Sequence, residues 1–138
     1  MAENVDVVKR SFEAIRAWDI DALLRLYHPE IKFLPLTGTR VESGGYRGHE
    51  GVRDYLSEAK ETWDVLEPVG DVFEEHGDFV VVIGRCRVRG RSSGAESNPV
   101  CGWAIRVRDG LIVAHKACSS YEEALEVAGV EPAQDPAA

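Results

Sequence analysis

The sequence predicts an α+β fold: a cone in which three N-terminal helices pack on a strongly curved antiparallel sheet and a short C-terminal helix closes the chain. Two observations carry this expectation. Over the first half, apolar residues recur at three- and four-residue steps, and from Glu67 onward they recur at every second residue between short turn signals. The 138 residues suit one domain with one substantial core, placed at 1–130, with 131–138 as a loose tail.

Val5, Val8, Phe12 and Ile15 form the apolar stripe of a first helix. In "WDIDALLRLYHPE", Asp19 is the candidate N-cap of a second helix with apolar residues through Leu26 and Tyr27 and a stop at Pro29. His28 then suits the negative end of that helix. "IKFLPL" is β-like, and "TGTRVESGG" is a loop. "GYRGHEG" leads into a third helix, from about Glu50 to Val65, with Val52, Tyr55, Leu56, Ala59 and Trp63 on one side; His49 is expected at its surface. Strands follow at about 68–75, 78–90, 97–108 and 111–119, with "EHGD" and "RDG" as hairpin turns. "SYEEALEVAGV" reads as a closing helix capped by Ser119 or Ser120 and ended by Gly129.

Sixteen basic against 24 acidic side chains give a formal charge of −8, the wrong sign for binding phosphates, so nucleic acid is not an expected partner. Arg85, Arg87, Arg89 and Arg91 alternate along one strand and suit pairing with the acidic surface. No apolar run is long enough to cross a bilayer and the N-terminus lacks a signal-peptide pattern, which points to a cytoplasmic protein with no membrane partner. Cys86, Cys101 and Cys118 are odd in number and widely spaced, which argues for reduced thiols and against a disulfide framework or a metal site. No metal or cofactor is expected.

Strand alternation places candidate site residues. If Ile105 and Val107 face inward, so do Trp103 and Cys101, with Arg106 and Arg108 outside. In the next strand Val113, His115, Ala117 and Ser119 share a face. Trp103 and His115 then line one cavity, and His115 is the candidate acid or base, a ring able to titrate near neutral pH. Trp18, Phe33, Tyr46, Trp63, Cys101 and Trp103 are candidate ligand contacts. Arg85 continues the line Phe79, Val81, Ile83; facing inward it would clamp an enolate or carboxylate oxygen, and a bulge at Gly84 would turn it out.

The segments "AWDIDALLRLYHPEIKF", "YRGHEGVRDYL", "VVVIGRCRVRGRSSG" and "WAIRVRDGLIV…YEEALEVAGV" resemble the nuclear transport factor 2-like superfamily, and within it the SnoaL-like, ketosteroid-isomerase-like branch, up to about Val130. The resemblance implies the cone fold, a small-molecule pocket and a homodimer; the superfamily includes isomerases, cyclases, hydrolases and proteins without known catalysis. It also puts Leu34 where the isomerase base would stand, Ser11 near the phenolic donor, and Cys101 or Trp103 at the second donor, so the usual isomerase mechanism is not expected. The expected function is that of a SnoaL-like protein whose apolar pocket takes a small apolar or aromatic molecule with a polar group, as an isomerase, cyclase or hydrolase-type enzyme without the usual isomerase base. A catalytic version pairs His115 with Arg85 or Tyr46, and the alternative is a non-catalytic ligand-binding or protein-interaction domain that uses its sheet face to dimerise or bind a protein.

Overall fold

The computed structural model describes residues 2–130, so the tail expected at 131–138 lies outside the described residues. Helix α1 (Ala2–Arg16) buries Val8, Phe12 and Ile15. Two bonds close its end, Asp19 N–H to the Ala14 carbonyl at 2.9 Å and Trp18 N–H to Ile15 at 3.1 Å, which hold Trp18 in the left-handed region at φ 55°. Asp19 then caps α2 (Ile20–Leu26), accepting from the Ala22 N–H at 3.1 Å.

The second helix stops earlier than its sequence suggests. Tyr27 and Pro29 belong to strand β1 (Tyr27–Leu34), whose pairing slips between Tyr27 and Lys32, so Pro29 sits where the ladder needs no donor from it. His28 is therefore not a helix-end residue; its Nδ1 accepts from the Glu30 N–H at 3.0 Å.

Strand β2 (Tyr46–Arg47) leads directly into α3 (Gly48–Thr62), which buries Val52, Tyr55, Leu56 and Ala59. His49 is half-buried, not a surface residue: its Nε2–H donates to the Tyr27 carbonyl at 2.8 Å and ties α3 to the start of β1. The helix ends short of Val65 because Trp63 opens strand β3 (Trp63–His76).

Strands β4 (Phe79–Gly90), β5 (Glu96–Ser97), β6 (Val100–Arg108) and β7 (Leu111–Cys118) complete the sheet, in the order β2-β1-β7-β6-β4-β3 with β5 beside β4. The β3-β4-β6-β7 part is the expected antiparallel meander, with a two-residue turn at Asp109 and Gly110, both at positive φ. The β1–β7 pair is parallel, which makes the sheet mixed. Those two strands are joined by a long excursion through α3 and the meander, the only kind of connection a parallel pair permits.

The first three helices cover the inner face. Helix α4 (Tyr121–Val127), capped by Ser120, covers part of the outer face, where Ala124 and Leu125 pack with Val81, Ala104 and Cys118. Along β4 the even residues Val80 and Val82 therefore join the main core, and the odd residue Val81 lies under α4.

Candidate functional site

A cavity of about 240 Å³ lies between the inner face of the sheet and the helices. Its walls are almost wholly carbon, and among the described residues no charged side chain lines it. Three of the expected aromatic contacts, Phe33, Trp63 and Trp103, face it, as does Cys101.

Two irregularities in the sheet aim these groups. In β3, Trp63 pairs with Gly90 and Val65 with Arg89, so Asp64 is an extra residue and Trp63 faces the same side as Leu66. In β7, Ala114 pairs with Arg106 and Ile112 with Val107, so Val113 is the extra residue. Val113 does not share the inward face as alternation suggests; the fully buried Ile112 replaces it, and beyond the bulge His115 and Ala117 point into the cavity.

His115 is 4% exposed. The Phe33 ring stacks on it with centroids 4.7 Å apart and planes at 24°, and the Tyr27 hydroxyl lies 3.3 Å from its Nδ1. Burial without a facing carboxylate pushes the imidazole down to about 3, well below the near-neutral titration expected from its residue type, so the ring is uncharged at pH 7. Burial also raises the phenols of Tyr27 and Tyr55 above their ordinary value and the Cys86 thiol to about 12. Every titratable group of the cavity is neutral at physiological pH.

Three candidates lie elsewhere. Arg85 is exposed on the outer face, where its Nη1 donates to the Asn98 carbonyl at 3.1 Å. No bulge at Gly84 turns it; the parity of the whole strand is opposite to the inward alternative, and Cys86 and Val88 take the inward places. Its neighbours Arg87, Arg89 and Arg91 pair with Glu67, Glu96 and Asp64 as the charge pattern suggested. Tyr46 is buried behind Phe33 and Tyr55 with its hydroxyl donating to the Glu58 carboxylate at 3.0 Å. Trp18 remains at the α1–α2 joint with the Lys60 ammonium 5.7 Å from its ring.

Ser11, which the resemblance suggested as the counterpart of a phenolic donor, is buried and spends its hydroxyl on the Val8 carbonyl at 2.6 Å. The residues that sequence reasoning missed are Tyr27, Tyr55 and Cys86. Tyr27 had a signal: Tyr27, Ile31 and Phe33 keep odd positions apolar through Pro29, a strand period hidden by the preceding helical one. Among the described residues no group of three or more His, Cys, Asp or Glu side chains could hold a metal ion, and no helix is long and apolar enough to cross a membrane.

The SnoaL-like domain family matches residues 8–115, and the chain belongs to that family; its fold is NTF2-like. Among solved structures it is similar to an NTF2-like protein of unknown function from Burkholderia pseudomallei, at 23% identity and TM-score 0.76 over 91% of this chain and 97% of that one. It is also similar to TerC co-crystallised with polyporic acid, at 22% identity and TM-score 0.74 over 90% and 98%. A third, from Catenulispora acidiphila, has a ketosteroid isomerase-like fold and was solved in complex with trimethylamine; it matches at 14% identity and TM-score 0.72 over 94% and 97%. Among curated proteins none matches the sequence.

Proposed function

We propose that this chain binds a small, flat, largely apolar molecule with one polar end in the cavity of the cone. The observation that supports it most is the cavity itself, about 240 Å³ of carbon-lined space holding a buried imidazole. An apolar cavity of about 150 Å³ admits benzene, so this one has room for about two fused rings. The complexes of two similar structures with small molecules support the same reading. Any proton transfer in the cavity would fall to His115, without the help of Arg85 or Tyr46.

The test is the unfolding temperature against a panel of apolar ketones, hydroxylated aromatics, epoxides and aromatic acids. A ligand at a hundredfold its dissociation constant adds about 2.7 kcal/mol, a shift of several degrees in a domain of this size. One chemical class should raise it in the wild type and not in Ala117→Phe, which fills the space. Equal shifts in both proteins would sink the reading.

A second role rests on a separate observation. Val69, Arg85 and Val100 stand side by side across β3, β4 and β6, and Val72 joins them opposite Ile83 because of an extra residue at Asp71. Val69, Val72 and Val100 are all exposed, Val100 by 52%. This exposed face, three valines around Arg85, is the surface through which we propose that the chain forms a homodimer. Sedimentation that found only monomer would refute this.

A further inference from the structure

We propose that Tyr27 is a positioning residue that holds His115 as a neutral Nε2–H donor, so that the cavity selects uncharged molecules carrying a hydrogen-bond acceptor such as a ketone oxygen. This deepens the binding reading above and rests on it for the ligand, although not for the state of the ring.

The argument starts from counting protons. Among the described residues the Tyr27 hydroxyl, on a side chain 1% exposed, has one hydrogen-bond partner, Nδ1 of His115, and the imidazole has one partner, that hydroxyl. If Nδ1 carried the proton it would donate to the phenol oxygen. The phenol hydrogen would then have no acceptor, and Nε2 would be a bare lone pair in an apolar cavity. With the phenol donating to Nδ1, one bond satisfies both groups, and the ring's own proton moves to Nε2. The second arrangement leaves one group unmatched, the Nε2–H that opens on the cavity, where the first leaves two, one of them the hydrogen of the buried Tyr27 hydroxyl, and an unmade bond there is costly.

The third possibility, a doubly protonated ring, needs a counter-charge. The titratable groups that face His115 are the phenols of Tyr27 from β1 and Tyr55 from α3 and the thiols of Cys86 from β4 and Cys101 from β6. None is a carboxylate, and burial holds them all protonated.

A cavity built this way offers donors and no charge. A ligand that brings an acceptor oxygen to Nε2 completes the unmatched group, whereas a plain hydrocarbon leaves it unmatched and a carboxylate brings an unpaired charge into carbon-lined space. The stacked Phe33 ring keeps the imidazole plane fixed, so the donor direction is set before the ligand arrives.

Two measurements test this, and they fail separately. Long-range proton–nitrogen NMR of the ring in the free protein should show a protonated Nε2 and a bare Nδ1 at pH 6 to about 8. In Tyr27→Phe, which keeps the ring volume, the preference should collapse toward a mixture of tautomers. A protonated Nδ1 with a bare Nε2, a doubly protonated ring, or an unchanged tautomer in Tyr27→Phe would overturn the role of Tyr27. If that variant does not fold, the Tyr27 hydroxyl proton in the wild-type spectrum decides: a coupling to Nδ1 supports the role and a hydroxyl that exchanges freely with solvent overturns it. The second measurement compares 2-acetylnaphthalene, 2-ethylnaphthalene and 2-naphthoate. The ketone should bind about threefold to tenfold tighter than the hydrocarbon, the worth of one neutral hydrogen bond, and the carboxylate weakest. Equal binding of ketone and hydrocarbon, or tightest binding of the carboxylate, would overturn the selectivity. If none of the three binds, the cavity reading falls, and the NMR result still decides the tautomer.

Discussion

His115 ties the stability of the fold to pH. Its folded value, about 3, lies below that of an unfolded histidine, so between the two the unfolded chain binds more protons than the native one. The contribution is complete above the unfolded value near 6.5 and is lost as pH falls toward 3, at a slope of up to about 1.4 kcal/mol per pH unit. Urea unfolding of wild type and His115→Phe from pH 7 to 4 should show the wild type losing stability faster; parallel curves would mean that the ring is not held neutral. At Asp19 the expectation is plainer. Its carboxylate caps a helix of only seven residues, and Asp19→Ala should cost about 1 kcal/mol by the same measurement. Residue roles were legible in the sequence where a side chain makes a local bond, as at Asp19 and Ser120. They were not legible where a distant element supplies the partner. Tyr46 looked like a cavity wall because nothing near it in sequence announced Glu58, twelve residues on, as the acceptor of its hydroxyl.

The elements around the cavity differ in how firmly they are held. The segment after β1 supplies Pro35, Leu36 and Thr37 to the rim, and Glu58 of α3 clamps it by accepting from the Thr39 N–H at 3.1 Å and the Thr39 hydroxyl at 3.0 Å. The Thr39 N–H, then the Thr39 and Tyr46 hydroxyls, hold the Glu58 carboxyl below its ordinary value. The clamp is therefore present above the ordinary carboxylate range and is lost as pH falls through the lowered folded value. Exchange of the Thr39 amide, corrected for its intrinsic pH dependence, should speed up at low pH and in Glu58→Ala at pH 7; protection unchanged in both would remove the clamp. In β4 and β3, Gly84 lets the two backbones meet, since a Cβ there would run into the Val69 carbonyl. Gly84→Ala should cost about 3 kcal/mol. Strand parity was the hardest feature to read. "VVVI" in β4 is apolar on both faces because the helices cover one side and α4 the other, so the pattern could not say which way Arg85 points. The extra residues at Asp64 and Val113 carry no sequence mark, yet they turn Trp63 in and Val113 out.

For the molecule as a whole, the plan of three helices, a curved sheet and a closing helix was legible because it rests on changes of hydrophobic period, which survive errors of a few residues at each boundary. The parallel β1–β7 pair was not, because it joins segments some eighty residues apart. The outer face carries its own expectation. Val100→Lys adds a second charge beside Arg85 on the proposed homodimer surface and should shift sedimentation toward monomer with the cavity unchanged; an unaltered dimer would place the interface elsewhere. The cavity itself can be interrogated through the chain's three tryptophans, of which Trp63 and Trp103 line it and Trp18 does not. Titration of 2-acetylnaphthalene should move the indole N–H signals of Trp63 and Trp103 along one saturating curve and leave Trp18 in place. Three stationary signals, or movement of Trp18 alone, would contradict a ligand site inside the cone.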